Sequence, residues 1–170
     1  EYISGLILFD ETIRQKTIAG VPFTKILQQK NMLPGIKVDT GAHDLALHAG
    51  EKITEGLDGL RGRLAEYKTL GAQFAKWRAV ITIGDGIPSQ ACIYANAHAL
   101  ARYSALCQEA DLVPMVEPEV LMEGQHTFER CYEVTELALT TLFSQLKEQA
   151  VFLPGVILKT SMVLAGSHCA

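Results

Sequence analysis

The chain has 170 residues, 48% of them hydrophobic and 20% charged, the proportions of one folded domain with a substantial core. A net charge of −4 gives no electrostatic reason to expect nucleic acid or an anionic membrane as partner, and no apolar run is long enough to span a bilayer. The cysteines at 92, 107, 131 and 169 lack Cys-x-x-Cys spacing and three of them fall in helical patterns. They read as reduced thiols of a reducing compartment rather than a disulfide framework.

The chain starts at Glu1-Tyr2-Ile3 without an initiator methionine, and residues 3–9 form a first apolar run of strand type. Pro22 opens a helical pattern with Phe23, Ile26 and Leu27 on one face. Residues 35–39 read as a second strand. Asp58 is the expected N-cap of a helix that buries Leu60, Leu64 and Tyr67 and stops at Gly71. A third strand covers residues 74–83. Pro88 and Ser89 then start a long helix whose apolar side includes Ile93, Ala97, Leu100 and Cys107. Residues 112–117 give a fourth strand. The longest helix spans about 127–149, with Phe128, Cys131, Leu139, Leu142 and Leu146 at helical intervals. The fifth strand is 155–159, and Gly166-Ser-His-Cys-Ala170 follows with no further helix. Both ends read as cut, so residues 1–170 are expected to be a single partial domain.

Strands that are nearly continuous apolar runs, alternating with helices, imply parallel βαβ units. An open doubly wound sheet gathers its ligand loops at one switch point. Here most strands bring charged residues to their C-terminal ends, which fits the mouth of a (β/α)8 barrel better. A complete barrel has eight strands and five are visible, so the segment is expected to lack three βα units.

Side chains alternate between the two faces of a strand. Lys37 and Asp39 therefore share one face, as do Lys76 and Arg78, and Glu117 and Glu119; the fifth strand ends on Lys159. A neutral lysine at such a mouth can attack a carbonyl carbon and form a Schiff base, whose iminium then accepts the electrons of a breaking carbon–carbon bond. The competing reading is a plain ion pair between Lys159 and Glu117. One of the two glutamates can shuttle protons while the other holds a lysine, or both can belong to a structural cluster with Lys76 and Lys37. Lys37, Lys76 and Arg78 give the mouth a positive field suited to a phosphorylated or carboxylated substrate, with structural pairing to Asp39 and the glutamates as the competing explanation. Trp77 points to the other face and is assigned to the core. Gly84-Asp-Gly86 is read as an ordinary βα turn, and His98 and His126 as helix-surface or helix-start residues. No metal is expected, because His43 and His48 are five apart and His168-Cys169 is too short a pair.

The sequence resembles the class I fructose-bisphosphate aldolases, the metal-independent, Schiff-base type. The similar stretches are Ile7-Leu-Phe-Asp-Glu-Thr12, Pro34-Gly-Ile-Lys-Val-Asp39, Gly56-Leu-Asp-Gly-Leu60, Phe74-Ala-Lys-Trp-Arg78, Ala101-Arg-Tyr103, Val113-Pro-Met-Val-Glu-Pro-Glu119 and Leu158-Lys-Thr-Ser-Met162, in family order over almost the whole chain. The resemblance implies a (β/α)8 TIM barrel of which residues 1–170 supply strands two to six. It assigns Lys159 as the Schiff-base nucleophile, Glu117 as the principal proton-transfer group and Lys76 as a substrate-contacting stabiliser. Lys37 and Arg78 become substrate-binding residues, with Glu119 and Asp39 in support. It further implies reversible cleavage of fructose 1,6-bisphosphate to dihydroxyacetone phosphate and glyceraldehyde 3-phosphate, in a cytosolic, glycolytic homotetramer that needs no metal or other cofactor.

There are departures from the family pattern. Thr160-Ser161-Met162 stands where animal relatives have Pro-Asn-Met. No residue here matches the aspartate of the family's first strand, nor the phosphate-holding groups of its seventh and eighth strands. The competing functions are a lysine-dependent aldolase for another sugar phosphate and a non-catalytic scaffold derived from an aldolase.

Overall fold

The computed structural model describes residues 2–169. A five-stranded parallel sheet runs in the order β1 (Gly5–Leu8), β2 (Leu33–Lys37), β5 (Phe74–Ile81), β6 (Val113–Val120) and β7 (Ile157–Leu158). Among the described residues this sheet does not close. Its helices are α1 (Asp10–Arg14), α2 (Phe23–Gln29), α3 (Leu60–Thr69), α4 (Gln90–Glu109) and α5 (Phe128–Glu148). β3 (Gly41–Asp44) and β4 (Lys52–Glu55) form a separate antiparallel hairpin.

Period-two alternation gives the sheet two unlike faces. Ile36, Ala75, Trp77, Ala79 and Val116 project from the outer face into a core with Leu60, Leu64, Leu100, Tyr103, Leu142 and Leu146, all essentially without solvent contact. Trp77 lies in this core, its ring centroid 5.5 Å from that of Tyr103. Each large aliphatic side chain so buried contributes about 1.5–3 kcal/mol of transfer free energy. Cys92, Cys107 and Cys131 are buried in helices α4 and α5, as packing thiols should be. Burial pushes the Cys92 thiol up to about 11, with Glu51 adding to the rise. The Ser89 hydroxyl accepts from Cys92 N–H and caps α4, and Thr127 does the same for α5 through Arg130 N–H.

Several boundaries differ from expectation. The first strand is shorter than residues 3–9, and the fifth is only two residues long. A single 3-10 turn at Leu153–Gly155 occupies the start assigned to that strand. The fourth strand runs past Glu117 to Val120, and the third stops at Ile81. Asp58 is not the N-cap of α3; that place belongs to Gly59, at φ +67°, with no side-chain cap. The turn from Leu57 O to Leu60 N–H needs a residue comfortable at positive φ there, and glycine supplies it. The β3–β4 hairpin has little apolar patterning of its own. It is held by bonds to neighbouring elements: Thr54 Oγ1 donates to Arg78 O at 2.8 Å, Thr54 N–H to Asn96 Oδ1 at 3.2 Å, and Asn96 Nδ2 to Lys52 O at 2.9 Å.

Candidate active site

Strand register places the charged residues in rows on the inner face of the sheet. Lys37 pairs with Lys76 and Lys76 with Met115, while Arg78 pairs with Glu117 one layer higher. Val116 pairs with Leu158, so Lys159, one residue beyond β7, comes beside Glu117. Lys37 and Lys159 sit at the C-terminal ends of their strands, and Arg78 and Glu117 lie past the middle of β5 and β6. Lys76 lies deeper, third of the eight residues of β5. The cluster thus opens toward the C-terminal side of the sheet. That is the end where the loops of a parallel α/β sheet can enclose a ligand.

Glu117 is the centre of the cluster. Its side chain is only 4% exposed, and it lies between Lys159, which donates to Oε1, and Lys76, whose Nζ is 2.6 Å from Oε2. Lys76 makes a charge contact there rather than an aligned hydrogen bond. Burial alone would raise the Glu117 carboxyl, but the hydrogen bond from Lys159 and the close ammonium of Lys76, with both charges, outweigh it and hold the group below its ordinary value. The carboxylate is thus charged at neutral pH and compensated by two cations. Lys159 is the more open of the two lysines, at 54% exposure against 17% for Lys76.

The remaining residues pair off separately. Arg78 Nε donates to Glu119, and that bond, stronger than the opposing desolvation, raises the guanidinium pKa further. Lys37 donates to Asp39 Oδ1 at 2.5 Å and to Asp39 O at 3.0 Å. Of the structural pairings open to it, Lys37 takes Asp39 and does not join the cluster of glutamates with Lys76; the residue two places on offers a nearer acceptor. Asp39 is buried and also accepts from Gly41 N–H and, through Oδ2, from Arg78 N–H, each at 3.2 Å. It ties the end of β2 to β5. The structure thus brings Lys159, Glu117 and Lys76 into direct contact, with Arg78–Glu119 and Lys37–Asp39 as flanking pairs.

Two contributors escaped sequence reasoning. Arg63, on α3, donates to Val38 O at 2.9 Å and Gly56 O at 2.5 Å, fixing the backbone that carries Asp39. Ser161 accepts from Val120 N–H at 3.2 Å. Neither belongs to a charged strand end, although Ser161 lies in a stretch where the chain departs from its look-alikes. Gly84 and Ile87 form an isolated bridge within an ordinary turn, and His126 is buried just before the N-cap of α5. Among the described residues there is no group of three or more His, Cys, Asp or Glu placed to hold a metal, and no helix long and apolar enough to cross a membrane.

The family model for class-I fructose-bisphosphate aldolase, of the glycolytic type, matches residues 1–170. The chain is 67% identical over 169 residues to a probable class 1 fructose-bisphosphate aldolase of Xanthomonas campestris pv. campestris, covering 99% of this chain and 51% of that protein. It is 50% identical to cytoplasmic isozyme 2 of the Pisum sativum fructose-bisphosphate aldolase, covering 98% of this chain and 46% of that one. A solved fructose-bisphosphate aldolase from Plasmodium falciparum, in complex with TRAP and a small-molecule inhibitor, superposes with a TM-score of 0.96 at 48% identity. That match covers 99% of this chain and 49% of the solved one. The chain spans about half the length of the relatives it matches. With identity this high along nearly every residue and the same backbone path, the chain belongs to the class I fructose-bisphosphate aldolase family.

Proposed function

We propose that the protein containing this chain cleaves fructose 1,6-bisphosphate reversibly to dihydroxyacetone phosphate and glyceraldehyde 3-phosphate, through a Schiff base on Lys159. The observation that carries this reading is the buried Glu117 carboxylate held between Lys159 and Lys76 on the inner face of the parallel sheet. The relatives, named as fructose-bisphosphate aldolases, support the substrate and reaction class.

The chemistry follows from the pair. Transfer of one proton from the Lys159 ammonium to Glu117 leaves a neutral amine beside a carboxylic acid, with no change in net charge. The amine attacks the ketose carbonyl carbon and forms a carbinolamine. Glu117 then returns its proton to the departing hydroxyl, water leaves and an iminium remains. When the carbon–carbon bond breaks, its electron pair flows to the iminium nitrogen and gives an enamine. The hydroxyl on the aldehyde-forming carbon gives up its proton in the same step, and the Glu117 carboxylate regenerated by the dehydration accepts it. Lys76 stays charged and stabilises the carboxylate and the oxygen of the carbinolamine. Lys37, Lys76 and Arg78 supply the field that attracts the phosphorylated sugar, with Asp39 and Glu119 fixing two of the three. The reading includes no metal or other cofactor, a cytoplasmic location, a glycolytic role and a homotetrameric full-length protein.

The test is trapping. Full-length protein is incubated with dihydroxyacetone phosphate and borohydride, and the reduced adduct is mapped by mass spectrometry. The expected site is Lys159, and Lys159→Met abolishes both adduct and turnover. An adduct elsewhere, or none, refutes the assignment.

A further inference from the structure

We infer that Ser161 is a positioning residue that sets the height of Lys159 opposite Glu117. The inference rests on the Schiff-base reading of Lys159. In a β-strand the N–H and C=O of one residue point to the same side, and successive residues alternate. On β6, Val116 O accepts from Lys159 N–H at 2.9 Å, so Val116, Pro118 and Val120 all turn toward β7. Residues of the other parity turn toward β5, as Leu121 N–H does when it donates to Ile81 O at 2.9 Å. The rung above Val116 would need a donor from residue 118. Proline has none.

The next donor on that side is Val120 N–H, at a residue 3% exposed, and its acceptor is the Ser161 hydroxyl rather than a backbone carbonyl. Lys159 is therefore suspended between two tethers to the strand that carries Glu117 and Glu119. One is its own N–H on Val116 O, and the other is the side chain two residues later. β7 is only two residues long. The next backbone bonds that hold the segment come at Gly166, Ser167 and His168, which donate to His126 O, Met122 O and Gly124 O at 2.8 Å, so Ser161 is the tether in the stretch between. Removing the hydroxyl leaves Val120 N–H without its partner and lets the chain after Lys159 swing away from β6. The amine then spends less time in line with a carbonyl carbon placed beside Glu117. Displacements of about 1 Å at a reacting group cost on the order of a hundredfold in rate. Lys37, Lys76 and Arg78, to which the proposed function gives the attracting field, are not touched by the change, so binding of the sugar phosphates is left in place.

The experiment uses full-length protein and compares wild type with Ser161→Ala, Ser161→Thr and Ser161→Cys. The readouts are the rate of borohydride-trapped adduct with dihydroxyacetone phosphate, kcat and KM for fructose 1,6-bisphosphate, and Tm. Ser161→Ala is expected to slow trapping and kcat by about tenfold to a hundredfold with KM changed less than about twofold. Ser161→Thr, which keeps the hydroxyl, is expected to restore both. Ser161→Cys keeps the shape of the side chain with a larger atom that is only a weak acceptor, so it should fall with alanine. It decides the matter if the alanine variant does not fold. Wild-type trapping rates in the alanine or cysteine variant, with or without a lower Tm, would make Ser161 a structural cap only and overturn the inference. An adduct in the wild type on a residue other than Lys159 would remove the reading beneath it as well, and that outcome is visible before any variant is compared.

Discussion

At the scale of single residues, the site is a problem in charge balance. A carboxylate as buried as Glu117 is costly unless paired, and two lysines pair it. Its pKa is held below the usual value near 4.5, so its stabilising contribution is complete above that value. The contribution is lost as pH falls through the lowered folded-state value, when protonation dissolves both ion pairs. Glu117→Gln removes it at every pH. The Tm of the full-length wild type should thus exceed that of Glu117→Gln by a constant margin from about pH 7 to about pH 5, and the margin should shrink below about pH 4. A margin that stays flat down to about pH 3 would show that Glu117 is not held charged by its neighbours. The same variant cannot exchange a proton with Lys159 in the way proposed, so the adduct should form more slowly by about a hundredfold or more.

At the scale of elements, the inner face of the sheet is graded along the strands. Most of the charged residues lie toward the C-terminal side, Lys76 shares its row with Met115 and Ile157, and Leu33 and the row of Ile7, Phe74 and Val113 lie below them toward the N-terminal ends. Phe74 covers Gly35 so closely that a Cβ on Gly35 would fall inside its ring's van der Waals envelope, and a Cβ on Gly5 would meet Leu33 O at 2.9 Å. Glycine is required at 35 by this packing, because its φ lies outside the left-handed range. Gly35→Ala should destabilise by about 1–3 kcal/mol, and Phe74→Leu in the same chain should recover part of that loss. Additive effects in denaturant unfolding of the two single variants and the double variant would contradict the steric account.

The element scale is also where sequence reading succeeds and fails. Apolar runs locate all five parallel strands, and alternation alone puts Lys76 and Arg78, Glu117 and Glu119, and Lys37 and Asp39 on common faces. Strand ends are less legible. Pro118 argues against a strand when its neighbours are unknown, yet its missing N–H faces the side where β7 has already ended, so β6 continues to Val120. The β3–β4 hairpin is invisible to periodicity because Thr54 and Asn96 hold it through tertiary polar bonds. Which lysine meets which carboxylate is set by register, and that is why sequence alone leaves Lys37 open between Asp39 and the glutamates while the fold puts it on Asp39.

At the scale of the whole molecule, the graded inner face has a consequence for residues 1–170 produced alone. β1 and β7 are edges with unpaired backbone groups on one side. Between them lie large apolar side chains with substantial exposure: Leu33 at 53%, Ile157 at 43%, Val113 at 39% and Ile7 at 38%. They alternate with the outer-face residues that the helices bury, so they line the side of the sheet that no described element covers. Contiguous apolar surface beside open parallel edges favours association over solubility. Residues 1–170 expressed alone should therefore be poorly soluble, bind an anilinonaphthalene dye strongly and elute as oligomers or aggregate in size exclusion. Leu33→Lys together with Ile157→Lys should reduce both dye binding and apparent size, since charge on that face opposes stacking. A sharp monomeric peak with cooperative melting and weak dye binding would mean that the inner face rearranges to bury itself. In that case the mouth geometry of Lys159 and Glu117 would have to be measured in the full-length protein alone.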